Sequence, residues 1–168
     1  MSRILVTGAG GYIGSLLVSM LLKEGHRVTA FDRFFFGLET LASVADDPKL
    51  TILRKDIRDI TPSDLEGHEA VCDLAALSND PCGDLDPKLT WEISCLATMQ
   101  LADKAVRNGV KQFVYASSGS VYGVSDEPQV TEDLPLKPIS EYNKTKMVAE
   151  RVLLSYADRM AVQIIRPA

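Results

Sequence analysis

"ILVTGAGGYIGS", residues 4–15, decides the fold. A short apolar run enters a cluster of glycines, and apolar residues then recur at helical spacing: Ile13, Leu16, Leu17, Met20 and Leu21. The segment reads as strand, tight turn and helix. The first N–H groups of such a helix have no partner within it. With the helix dipole behind them, they form a site for a phosphate. The common dinucleotide-binding spacing is G-x-G-x-x-G. Gly8 and Gly10 fit its first two positions, but Ile13 stands at the third and Gly14 follows one residue later. Read instead as Gly8, Gly11 and Gly14, the spacing is regular. Gly8 is expected to make the turn. Gly10 and Gly11 would let a pyrophosphate approach the backbone, beside the N–H groups of Tyr12, Ile13 and Gly14. Gly14 would let the helix pack close to the strand.

Outward from this segment the chain alternates. Strands are expected at 3–7, 27–32, 50–53, 70–75, 112–116 and 161–165. Helices are expected at 12–24, 38–45, 86–108 and 140–158, with Gly25 stopping the first and Ser140 capping the last. A polar stretch covers 55–67. Residues 117–139, rich in Ser, Gly and Pro, form a loop long enough to suggest a functional role. Alternating strands and helices imply a doubly wound α/β fold. The expectation is a parallel sheet in the order 3-2-1-4-5-6, with helices on both faces and one domain over 1–168.

Composition narrows the function. The 168 residues are 46% hydrophobic and 24% charged, ordinary for a globular domain. With 18 Lys and Arg against 23 Asp and Glu, the net charge is −5, which disfavours nucleic acid as a partner. No apolar run approaches the roughly 18 residues of a membrane helix, and no secretory leader is read at the N-terminus. Cys72, Cys82 and Cys95 are odd in number, lack metal-ligand spacing and are expected to act as small buried hydrophobes. A reduced, cytoplasmic protein without a metal is therefore expected.

The full motif Thr7-Gly8-Ala9-Gly10-Gly11-Tyr12-Ile13-Gly14 resembles the extended short-chain dehydrogenase/reductase family, in particular its sugar-nucleotide epimerases and dehydratases. Its cofactor domain is of the Rossmann type. Asp32 ends the second strand, where a carboxylate accepts hydrogen bonds from an adenosine ribose and repels a 2′-phosphate, which favours NAD. The adjacent Arg33 is placed to meet a 2′-phosphate instead. Asp56-Ile57-Arg58-Asp59 is similar to the family's adenine-contacting stretch, which would set Asp56 on the adenine amino group. Leu74-Ala75-Ala76 is similar to the family's L-A-A beside the pyrophosphate.

"YASSGSVYG", residues 115–123, and "YNKTK", residues 142–146, carry the chemistry. Tyr142 and Lys146 are four apart on a predicted helix and share a face. A phenol is a poor base at pH 7, but a nearby ammonium and an oxidised nicotinamide would stabilise its phenolate. Tyr142 is thus the candidate general base. The resemblance implies that Lys146 holds the nicotinamide ribose and that Ser118 bonds the reacting oxygen.

Three departures from the family pattern matter. Gly119 and Ser120 stand where the 4,6-dehydratases carry an Asp-Glu pair, and the Glu near here in decarboxylating relatives is also missing, so dehydration is disfavoured. Ser94 replaces the usual Asn of the long helix, at a position the resemblance counts in the cofactor site. Family members continue past the Arg166-Pro167 pair into a lobe that binds the nucleotide sugar, so this chain is expected to be the cofactor half of a longer enzyme. The expected function is NAD-dependent epimerisation of a nucleotide sugar. The alternatives are a ketoreductase of the same family and a non-catalytic dinucleotide-binding module. The resemblance also implies a homodimer through a four-helix bundle, with Leu96, Met99, Val106, Met147, Leu154 and Tyr156 as apolar candidates.

Overall fold

In the computed structural model, which describes residues 1–78, 80–124 and 129–167 with only the backbone of Cys82, β1 (Arg3–Thr7) lies inside a six-stranded sheet. Its partners are β2 (Arg27–Asp32), β3 (Leu50–Arg54), β4 (Ala70–Asp73), β5 (Gln112–Ala116) and β6 (Ala161–Ile165). The order is β3-β2-β1-β4-β5-β6 and every pair is parallel, as the alternating sequence implied.

Strand β1 shows why the sheet is covered twice. Ile4 and Val6 pack on one side, with Val18 and Leu22 of α1 (Tyr12–Lys23) and with Leu41. Leu5 packs on the other, with Leu101, Ala105, Ala149 and Leu153. These come from α4 (Ala97–Arg107) and α5 (Glu141–Leu154). Successive residues of a strand point to opposite faces, so an unbroken apolar run requires two cores. Burying each large side chain contributes about 1.5–3 kcal/mol.

Several expected elements differ in detail. The 38–45 helix is a short 3-10 segment, Glu39–Val44, in which Leu41 is the one fully buried residue; that does not supply the stripe a longer helix needs. The 86–108 helix is three segments in line: α3 (Pro87–Trp91), a π turn (Glu92–Leu96) and α4. A helix α2 (Asp80–Leu85) precedes them, which Pro81 and Gly83 had concealed. Helix α5 stops at Leu154 rather than 158, and tight turns follow to Met160. Strand β4 ends at Asp73, two residues before the expected end, because Leu74 and Ala75 turn their N–H groups to Thr7. Ser140 caps α5 as expected, accepting from the Asn143 N–H at 3.1 Å.

Cys95 is buried and Cys72 partly so. Burial raises both thiols, Cys72 to about 11, which makes them unreactive packing residues; the Cys82 side chain lies outside the described residues. Among the described residues, no helix is long and apolar enough to cross a membrane.

Candidate functional site

A cleft of about 640 Å³ opens at the carboxyl ends of the strands. Its first wall is the glycine turn. Gly8 sits at φ +65°, and a Cβ there would lie 2.8 Å from the Leu74 backbone. At Gly14 a Cβ would lie 2.1 Å from the Gly8 carbonyl oxygen, so helix and strand meet with no room for a side chain. Gly10 serves differently from the expectation. Its side-chain space is filled by the Phe34 ring at 2.8 Å and the Asp32 carboxyl at 3.3 Å, so it packs the second strand against the turn. Gly11 is the more open of the two, meeting only the Gly8 oxygen at 3.3 Å. The first bond inside this turn of helix runs from Ser15 N–H to Gly11 O. Among the described residues, the N–H groups of Tyr12, Ile13 and Gly14 donate to no backbone carbonyl, and all three residues line the cleft.

Asp32 holds this wall. One carboxylate oxygen accepts from Gly10 N–H at 3.0 Å and the other from Phe34 N–H at 2.6 Å. Phe34 takes φ +53°, uncommon for a side-chain-bearing residue, and its ring is 98% buried. Arg33 turns to Asp56 at 3.1 Å and lies 4.2 Å above the Phe35 ring. Asp56 also caps the turn Ile57–Asp59 and pairs with Arg58 at 2.9 Å, and these bonds to Arg58 lower its carboxyl pKa. Asp56, Ile57, Leu74, Ala75 and Ala76 all line the cleft. Ser94 does not. It is fully buried in the π turn, where its hydroxyl accepts from Leu77 N–H at 3.1 Å and so supports the segment after β4 from behind.

The opposite end collects Ser118, Tyr142 and Lys146. Ser118 follows β5 and caps the 3-10 turn Gly119–Tyr122. Tyr142 lies in the first turn of α5 and is half-buried at the cleft. Burial and the nearby Asp80 raise its pKa, and the Ser118 contact offsets only part of that. The Lys146 ammonium donates to the Ala116 carbonyl at 2.7 Å, 4.7 Å above the Tyr115 ring and 5.7 Å above that of Tyr142. Burial lowers its pKa to about 8, outweighing the opposing pull of Asp73 and Glu150.

Several residues outside the sequence reading build this end. Glu150 is 99% buried. It pairs with Arg166 at 2.7 Å and accepts from the Ser117 hydroxyl, tying α5 to β5 and β6. Its signal was present: Tyr142, Lys146 and Glu150 recur every four residues along one helix face. Asp73, also buried, accepts from Thr7 at 2.5 Å and Thr98 at 2.8 Å. Asn143 accepts from Ser120 at 2.5 Å. Ser120 stands 2.7 Å from Ser118, so two hydroxyls and an amide form a short hydrogen-bonded chain. Asp73 and Asn143 carried no spacing signal, because their partners come from distant segments.

Residues 4–167 match the family described as the NAD dependent epimerase/dehydratase family. A UDP-glucose 4-epimerase of Mycolicibacterium smegmatis is 36% identical over 162 residues, covering 92% of this chain and 51% of that protein. The UDP-N-acetylglucosamine 4-epimerase of Methanobrevibacter ruminantium, solved with UDP-N-acetylmuramic acid, superposes with a TM-score of 0.92 at 27% identity, over 98% of this chain and 54% of its own. The dTDP-glucose 4,6-dehydratase DesIV of Streptomyces venezuelae, solved with NAD bound, gives a TM-score of 0.92 at 32% identity, over 98% and 55%. The chain thus spans about half the length of the relatives it matches. With a glycine turn, a strand-end acid and a serine-tyrosine-lysine cluster along one cleft, and a family match over nearly its whole length, the chain belongs to the NAD dependent epimerase/dehydratase family.

Proposed function

We propose that this chain is the NAD-binding half of an enzyme that epimerises a nucleotide sugar by oxidising and re-reducing one of its hydroxyls. The observation that carries the reading is a single cleft with phosphate-binding N–H groups at one end and Ser118, Tyr142 and Lys146 at the other. Its residues fit a dinucleotide: three free N–H groups at a helix start, a strand-end carboxylate and an extended apolar floor. Tyr12, Ile13 and Gly14 would bind the pyrophosphate, Asp32 the adenosine ribose, and Asp56 and Ile57 the adenine. Arg33, held by Asp56 and Phe35, is engaged within the protein rather than free for a 2′-phosphate, which favours NAD over NADP.

When bound, NAD supplies the hydride acceptor and donor. Tyr142 takes the proton from the reacting sugar hydroxyl and later returns it. Ser118 holds the reacting oxygen, while Lys146 supports the phenolate and the nicotinamide ribose. Asp32 and Asp56 are the carboxylates among the described cleft residues, and both lie at the adenosine end. Gly119 and Ser120, standing where the 4,6-dehydratases carry an acidic pair, favour epimerisation over elimination of water and are equally compatible with a ketoreductase. We further propose a homodimer through the long helices. Exposed Leu96 and Leu154 support this, whereas Met99, Val106 and Tyr156 pack partly into the protein's own core.

Calorimetric titration should show the chain binding NAD more tightly than NADP; equal affinities would mean that Asp32 is not reading the ribose. In the full-length parent, Tyr142→Phe should leave NAD affinity nearly unchanged and cost about 100-fold or more in epimerisation rate. Wild-type turnover by that variant would overturn the assignment. Light scattering that finds only monomers at high concentration would remove the dimer.

A further inference from the structure

The paired register of β5 and β6 runs as far as Ala116 and Ile165. The two segments stay together for a few residues more. Ser117 N–H donates to the Ile165 carbonyl at 2.8 Å, and Gly119 N–H to the Pro167 carbonyl at 2.6 Å. Ser118 lies between these two bonds, extended at φ −153° and ψ 144°. An extended chain sends successive side chains to opposite sides. Ser117 directs its hydroxyl to Glu150, so Ser118 leaves on the other side, where it bonds Ser120 and lines the cleft. The place of the Ser118 hydroxyl thus depends on what holds residues 165–167 against residues 117–119.

Two backbone bonds at the end of a sheet open easily by themselves. The Arg166 side chain reinforces them. Its Nε donates to one Glu150 oxygen at 3.0 Å and its Nη2 to the other at 2.7 Å, the forked pairing that only a guanidinium makes. Its Nη1 donates to the Tyr122 hydroxyl at 2.6 Å. Tyr122 ends the 3-10 turn that Ser118 caps. Glu150 lies one helical turn beyond Lys146 on α5, and the Lys146 ammonium in turn bonds the Ala116 carbonyl. One guanidinium therefore ties the segment after β6 to the helix that carries Tyr142 and Lys146, and to the far end of the Ser118 turn. We propose that Arg166 is a positioning residue: through Glu150 and Tyr122 it fixes the backbone on both sides of Ser118, and so the place of the Ser118 hydroxyl relative to Tyr142 and Lys146. This rests on the role of Ser118 in holding the reacting oxygen.

The first test is amide hydrogen exchange by NMR. Arg166→Lys keeps a positive charge beside Glu150 but ends in a compact ammonium rather than a fork, so it cannot serve both carboxylate oxygens and Tyr122. Exchange at the Ser117 and Gly119 amides should rise about tenfold or more, while the amides of α1 stay as in the wild type. Tyr122→Phe removes only the hydroxyl and should raise exchange at Gly119 by less. In the full-length parent, Arg166→Lys should lower the epimerisation rate about tenfold with NAD affinity nearly unchanged. Made in Ser118→Ala, the same change should cost little more, because the hydroxyl that Arg166 positions is already gone. Unchanged exchange at Ser117 and Gly119, or an equal fold loss with and without the Ser118 hydroxyl, would overturn this role of Arg166. Wild-type turnover by Ser118→Ala alone would instead remove the reading of the site on which that role rests, and would do so with the exchange pattern intact.

Discussion

The two ends of the cleft are built from different materials. The glycine-turn end is backbone: N–H groups at the start of α1, a turn with no room for a methyl at Gly8 or Gly14, and Asp32 clamped by two main-chain N–H groups. The reactive end is side chains. A lysine, two buried carboxylates and a row of hydroxyls are drawn from β4, β5, α4, α5 and the segment after β6. The first end is precise because nothing can be added to it. The second is precise because its charges must be matched, and one of them, Lys146, is held at a cost.

That contrast breaks most sharply at Glu150. Glu150→Leu would leave Arg166 without its carboxylate partner and the Ser117 hydroxyl without its acceptor. Removing one side of a buried ion pair costs about 3–5 kcal/mol. Urea unfolding should show a loss of that order, and a loss no larger than at an exposed pair would mean the reactive end is not held by charge. Gly14→Ala probes the other end. Its Cβ would collide with the Gly8 carbonyl, and forced overpacking costs about 1–3 kcal/mol. Affinity for NAD should fall with it, since α1 must move; unchanged affinity in calorimetry would separate the packing from the ligand site.

Lys146→Met should act in the opposite direction. Its ammonium has a pKa of about 8 in the fold, below the 10.5 of an ordinary lysine. The folded state therefore binds fewer protons than the unfolded state between those values, and wild-type stability rises with pH through that window. At pH 7 the buried charge is a burden, so Lys146→Met should raise the unfolding free energy by on the order of 1 kcal/mol. The gain should shrink from pH 8 to 10.5. Thermal melts across that range would check it; a variant less stable than the wild type at pH 7 would show that the ammonium contributes net stability. The smallest effect belongs outside the cleft. The exposed Asp103–Arg107 pair at 2.9 Å should lose no more than about 0.5 kcal/mol on Asp103→Ala.

The glycine-turn end was legible because it is local. Residues 4 to 15 contain strand, turn and helix start in order, and the parallel sheet followed from the alternation with later strands. Tyr142 and Lys146 were legible for the same reason, since four residues along one helix fix a shared face. The use of Gly10 was not, because Phe34 fills its space from beyond β2. Neither was helix α2, which places Asp80 near Tyr142 and the Gly83 backbone against it.

By itself, the amino-acid sequence determined the strand order, the glycine turn, the strand-end acid and the tyrosine-lysine pair, all set by spacings short enough for backbone geometry to dictate. Only the tertiary structure decided what each serine bonds to. Ser117 and Ser118 are neighbours, yet Ser117 turns to Glu150, while Ser118 joins Ser120. It also decided the lowered pKa of Lys146 and the buried pairing of Glu150 with Arg166. These depend on burial and on partners as many as 73 positions away in the chain, as Asp73 is from Lys146, and no local pattern encodes such meetings.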